Sequence, residues 1–216
     1  MGMLGDTLII FMTDNGMSVK SETIHGGKFR PFNAALKGGK CSPEEGGARV
    51  PSFWIWKGHV SEDIDLPALA VHIDHYRAFC ELAGAEIPPS SIKPTGCSLV
   101  PLLENPSAKW PERTLFTHVG RWDAGKWSAH KDQKYAARSN RWRLVNNEFL
   151  YDILSDRGQK KDVAAEHLGV VAERCKRYNA WGDSLPPLLV NEGLPNIKGG
   201  DFPLQKLRET KRELPH

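Results

Sequence analysis

Long hydrophobic runs are missing from this 216-residue sequence. No stretch approaches the ~18–20 consecutive apolar residues of a membrane-spanning helix. The longest apolar run near the start, residues 8–12, lacks a basic flank and a small-residue cleavage site, so it does not read as a secretory signal. Cysteine is sparse: Cys41, Cys80, Cys97 and Cys175 form no C-x-x-C pair and no metal-finger spacing, which excludes zinc-finger chemistry. Two disulfides are conceivable, although four scattered thiols more often stay free, so the redox compartment is open. Charge of one sign is lacking too. The 29 Lys and Arg residues against 26 Asp and Glu leave a net +3, and no Lys/Arg run dominates, which argues against a nucleic-acid partner. Internal repeats and low-complexity segments are absent.

What is present is an ordinary globular composition, with 40% hydrophobic and 25% charged residues. The 20 glycines and 15 prolines predict many turns and short elements. The length allows one large domain or two small ones.

Residues 7–12 (TLIIFM) read as a strand covered on both faces, ending in the turn residues Thr13-Asp14-Asn15-Gly16. Ligands of α/β proteins gather outside the carboxyl ends of strands, which makes Asp14 and Asn15 candidates. Side by side they offer a carboxylate and an amide oxygen, the donors hard cations such as Ca²⁺ accept. They supply only a fraction of the ~6–8 oxygens that Ca²⁺ takes. The plain alternative is an Asx-turn that caps the strand. Residues 16–48 are rich in glycine without clear periodicity and read as one long loop system, the kind that in compact domains is usually functional. Within it Lys40 follows two glycines, where the backbone permits close approach and the ammonium is a mobile point charge for a tetrahedral anion. A solvated loop lysine is its alternative. Glu45-Gly46-Gly47-Ala48-Arg49 suits a tight turn, pinned by Arg49 on Glu45 or Glu44.

Strand character returns at 49–56 (RVPSFWIW), and a helical pattern runs over 69–84 with Gly84 as its cap. Six prolines in 87–113 mark an irregular crossover and a domain boundary. Beyond it, 114–119, two strands within 135–145 and a strand at 149–154 predict a small antiparallel sheet, with a helix over 162–185 packed on it. His72 and His75 lie three apart, with no third metal ligand at a fixed spacing, and read better as a solvated or interfacial pair. His25 in the glycine-rich loop and His118 at a strand end are candidates to line a pocket, with Arg121, Trp122 and Trp127 beside the latter.

Taken jointly, an apolar strand ending in T-D-N-G, then L-K-G-G-K, E-G-G-A-R-V-P-S-F-W, a helix ending E-L-A-G, G-C-S-L-V-P-L-L and L-Y-D-I-L-S-D-R-G-Q resembles the sulfatase family in consistent order over residues 4–182. Arg157 and Gln159 stand where Pro and Glu are usual. The resemblance implies an α/β fold: residues 1–105 as the C-terminal portion of an alkaline-phosphatase-like sheet domain, and 112–216 as a small α+β subdomain with an antiparallel sheet. It further implies Asp14 and Asn15 as calcium ligands and Lys40 as the contact to the sulfate of a sulfate ester, with a sugar as one form of substrate. His25 and His118 are additional substrate-contact candidates.

The family's remaining acidic ligands and its nucleophile, a Cys or Ser in C-x-P-x-R converted to formylglycine, have no counterpart here. Cys41-Ser42-Pro43 carries the C-x-P, but Glu45 replaces the arginine and the segment lies at the wrong place in the family order. The expectation is a partial sulfatase, inert alone, partnered by a missing N-terminal half or self-associated through an exposed sheet edge. A non-catalytic relict or partner-binding fragment stays open, as does a phosphodiesterase or phosphonate hydrolase of the same superfamily. Intact relatives are often exported, and the localisation of this chain is left open.

Overall fold

The computed structural model describes residues 2–18, 22–24, 27–29, 32–89, 93–120, 122 and 125–186, with backbone alone at 22–24 and 27–29. A 3₁₀ turn over Met3–Asp6 leads into β1 (Ile9–Met12), shorter than the predicted strand. The glycine-rich segment holds a hairpin of β2 (Glu22–Ile24) and β3 (Gly27–Phe29) that sequence reading took for loop. It also holds α1 (Glu45–Ala48), a single helical turn where a tight turn was expected. Next come β4 (Ser52–Ile55), α2 (Ile73–Leu82) and α3 (Val100–Glu104), the last within the proline-rich crossover. Gly84, at φ +61, stands just beyond α2 in the left-handed conformation expected of its cap.

The antiparallel sheet is present as predicted: β5 (Leu115–His118), β6 (Tyr135–Arg138), β7 (Trp142–Val145) and β8 (Phe149–Asp152) lie in sequential order. A short α4 (Trp127–His130) interrupts the β5–β6 connection, and α5 (Leu168–Asp183) closes the described chain. Tyr135 of β6 stacks on Tyr178 of α5 with ring centroids 3.4 Å apart, and Phe116 meets both Tyr178 and Trp181. Ala137, Leu144, Leu150 and Val163 complete this core together with Val170, Val171 and Cys175. Burial raises the Tyr135, Tyr178 and Cys175 pKa values, as expected of groups removed from water.

The β1–β4 pair differs from expectation. It is antiparallel, with Ile9 opposite Ile55 and Phe11 opposite Phe53. Alternation puts these four side chains on one face, and that face is bare: Phe11 is 62% and Phe53 61% exposed. The opposite face packs, because Trp54 stacks on His75, which stacks in turn on Phe79 of α2. Burial lowers the His75 pKa there, and His75 is the packed member of the His72/His75 pair while His72 stays exposed. Beneath it, Asp74 is fully buried and takes both ends of the Arg113 guanidinium at 2.5 and 2.8 Å. This bidentate pair ties α2 to the segment entering β5.

Candidate functional site

The turn after β1 and the Lys40 loop meet through their backbones. The Gly16 N–H donates to Gly47 O at 2.8 Å, and the Lys40 N–H donates to Met17 O at 2.8 Å. Such an approach needs glycine. A Cβ built on Gly16 would lie 1.9 Å from Gly46 O, inside any tolerable contact. The T-D-N-G and G-G-K segments, 24 residues apart from Gly16 to Lys40, are thereby brought to one place.

Three polar side chains project from this junction uncommitted. Asp14 and Lys40 are exposed and Asn15 is half-buried, and none of the three side chains is hydrogen-bonded or ion-paired among the described residues. The Asx-turn alternative for Asp14 and Asn15 is therefore not realised. The local cap comes from Thr13, whose hydroxyl donates to Asn15 O. His72 adds a neighbour that spacing did not single out, its Nε2 lying 3.4 Å from Thr13 O. A carboxylate, an amide and an ammonium left free at a strand end suit an oxyanion held with a hard cation. As a calcium site the donor set fits in part: Asp14 and Asn15 offer oxygens. No group of three or more His, Cys, Asp or Glu side chains able to hold a metal exists among the described residues.

His118 is placed differently. The Gly120 N–H donates to its Nδ1 at 2.9 Å, and Nε2 faces His130 O at 3.1 Å. With Nδ1 accepting from Gly120, Nε2 is the ring nitrogen that donates to the His130 carbonyl. The ring lies against Trp122 and Trp127 and lines a cavity of about 80 Å³ with Gly120, His130, Gln133 and Lys134. His118 thus presents no free ring nitrogen to a ligand. His25 and Arg121 lie outside the described residues.

The Lys40 loop is seated on the C-terminal sheet by a buried cluster that spacing could not reveal. Arg138, Arg143 and Tyr151 are direct cross-strand neighbours on β6, β7 and β8. Glu45, 2% exposed, lies over this row. Its Oε1 accepts from Arg138 Nε at 2.8 Å and from Arg143 at 2.7 and 2.9 Å. Arg143 also donates to Pro43 O, Lys37 Nζ reaches the Tyr151 hydroxyl at 2.7 Å, and the Glu45 N–H donates to Gln159 Oε1 at 2.7 Å. Burial works against the Glu45 charge, but Arg143 and Arg138 outweigh it and hold the carboxyl below its usual range. The expected partner, Arg49, is a minor one at 3.8 Å. Glu45 stands where C-x-P-x-R has its arginine and is fully engaged in this cluster, so no nucleophile motif is hidden at Cys41.

No family model matches the chain. Arylsulfatase A of Bos taurus is 34% identical over 139 residues, 60% of this chain and 26% of that protein. Steryl-sulfatase of Homo sapiens is 32% identical over 130 residues, 58% of this chain and 21% of that protein. Among solved structures, Ps i-CgsB, also solved with k-i-k-neocarrahexaose, has a TM-score of 0.63 at 27% identity over 83% of this chain and 37% of that chain. A sulfatase from Pseudoalteromonas sp. has a TM-score of 0.65 at 19% identity over 85% of this chain and 38% of that one. In sequence and in fold the chain resembles the sulfatase family, with the α/β, alkaline-phosphatase-like architecture of its members. It spans about a quarter of the length of the curated relatives named here.

Proposed function

We propose that this chain carries part of the sulfate-ester site of a sulfatase, with Lys40 as the sulfate contact and Asp14 and Asn15 as metal ligands. The observation that carries the reading is the junction itself. Two segments that match the family motif are joined by backbone hydrogen bonds, and their three functional side chains are left free. Calcium, where the shell is completed by further ligands, would place positive charge against the sulfate oxygens. Lys40 adds a preorganised positive charge to the same anion, which lowers the cost of charge developing on the leaving group. Asp14 and Asn15 hold oxygen donors at the strand end. A sulfated sugar is the substrate class favoured by the oligosaccharide-bound neighbour, while the steryl-sulfatase relative keeps a steroid sulfate in view. Formylglycine and the remaining acidic ligands belong to sulfatase sequence without a counterpart in this chain, in line with residues 1–105 and 112–216 as parts of a larger enzyme.

The test is calorimetry with Ca²⁺ and with inorganic sulfate on the purified chain. The reading expects weak binding of both, with Ca²⁺ affinity lost in Asp14→Ala and sulfate affinity lost in Lys40→Ala. Binding that survives both substitutions would refute it.

A further inference from the structure

The Glu45 cluster sits on the sheet face opposite α5, because Arg138 and Arg143 alternate with Ala137 and Leu144, which pack with the α5 residues. Its charges are arranged in an unusual way. Arg138 and Arg143 are directly opposed across two strands, and opposed like charges destabilise a sheet. A carboxylate from outside the sheet offsets this, and it comes from the helical turn that directly follows the Lys40 loop. Gln159 holds the backbone N–H of the same residue, and Arg143 and Lys37 hold the chain two residues before it and eight residues before it. From there the register passes inward through backbone contacts alone. The Gly46 N–H donates to Lys37 O at 2.7 Å, Gly47 O accepts from Gly16, and the Lys40 N–H donates to Met17 O. Every segment that bears a functional side chain is therefore referenced to Glu45.

We propose that Glu45, clasped by Arg138 and Arg143, is a positioning residue that sets the Lys40 loop against the Asp14–Asn15 turn for anion binding. The small C-terminal sheet then belongs to the site's machinery, although none of its side chains touches the anion. The inference rests on Lys40 being the sulfate contact, as proposed above. Packing alone would explain a buried ion pair but not its bonding pattern: each of the five anchors falls within residues 37–45, the stretch containing Lys40.

The experiment follows amide hydrogen exchange and inorganic-sulfate titration by NMR in the full chain, comparing wild type, Glu45→Gln and Arg138→Lys. Glu45→Gln should speed exchange at the Lys40, Gly46 and Gly16 amides and leave those of Ala137 and Leu144 slow. It should raise the sulfate half-saturation by about tenfold or more, the scale of loss when an outer partner of a ligand-binding group is removed. Arg138→Lys, which keeps the charge, should retain much of the wild-type behaviour in both readouts. Where Glu45→Gln does not fold, Gln159→Met removes only the acceptor of the Glu45 N–H and should shift the same readouts in the same direction. Wild-type sulfate affinity in Glu45→Gln and in Gln159→Met, or exchange that quickens equally in loop and sheet, would overturn the positioning role. Wild-type sulfate shifts that survive Lys40→Ala, or no shifts at all, would instead remove the function on which it rests, and the inference with it.

Discussion

Three side chains left free and one buried carboxylate clasped by two arginines define this molecule at the scale of residues. Breaking a buried ion pair by removing one partner costs about 3–5 kcal/mol, because the remaining charge is stranded without water. Glu45→Gln leaves two guanidinium groups in that position, so thermal or urea unfolding should register a loss of that order. The pH dependence has a definite sign. The Glu45 carboxyl is held below its usual range in the folded chain. Its contribution is thus fully present above the unfolded carboxyl value of about 4.3 and is lost as pH falls through the lower folded value. Wild type should destabilise steeply below about pH 4.3, while Glu45→Gln should show a flatter acid limb. Equal slopes in parallel urea melts across this range would count against the cluster. Gly16 gives a second, independent test. Alanine there forces a Cβ onto the Gly46 carbonyl, so Gly16→Ala should cost about 1–3 kcal/mol and disturb the Lys40 amide resonance, whereas a silent substitution would deny the close approach.

Among the elements, the β1–β4 pair is the one whose sequence and surroundings disagree. A strand apolar on both faces was legible in residues 7–12, but which face finds a cover depends on chain far away in sequence. Trp54, His75 and Phe79 cover one side, and Ile9, Phe11, Phe53 and Ile55 stay open on the other. Such a face, on a sheet that has two strands among the described residues, favours self-association. Phe11→Ser together with Phe53→Ser should shift the chain toward monomer in analytical ultracentrifugation without loss of the Tyr135–Tyr178 core. Unchanged association would put the contact elsewhere. By contrast β5–β8 and α5 were legible almost in full, because period-2 and period-3.6 patterns are local; the positive φ of Asn146 and Asn147 at the β7–β8 turn is added by the structure. The β2–β3 hairpin was not, since Glu22–Ile24 and Gly27–Phe29 are too short to carry a period. Asp14, Asn15 and Lys40 came forward as candidates through the family motif, and the structure adds the backbone hydrogen bonds, Gly16 to Gly47 and Lys40 to Met17, that join the segments carrying them. The Glu45–Arg138–Arg143 cluster was illegible, for its members lie about 90 residues apart and each has an ordinary surface reading on its own.

On the scale of the whole molecule, the sequence contains no C-x-P-x-R or S-x-P-x-R, so the purified chain should not hydrolyse an aryl sulfate above the buffer rate. Turnover that disappears in Lys40→Ala would point to an unrecognised nucleophile. How the two parts cohere is a separate matter. The sheet of 115–152 and its α5 helix are built from contacts close in sequence, which favours independent folding. Yet among the described residues Arg138 and Arg143 are ion-paired to Glu45 alone, and without it their burial would carry a desolvation cost largely unmet. Residues 57–67, exposed except for the half-buried Val60, offer a protease its access between the two sets of contacts. Limited proteolysis should therefore cut there early and leave a non-covalent complex in which a peptide containing 37–49 stays with the C-terminal sheet under native mass spectrometry. Raising the ionic strength should release that peptide only weakly, since the pairs that hold it are shielded from solvent. A protease-resistant C-terminal sheet that sheds every peptide bearing Glu45 would show that the clasp is dispensable to the sheet and that the two parts are independent after all.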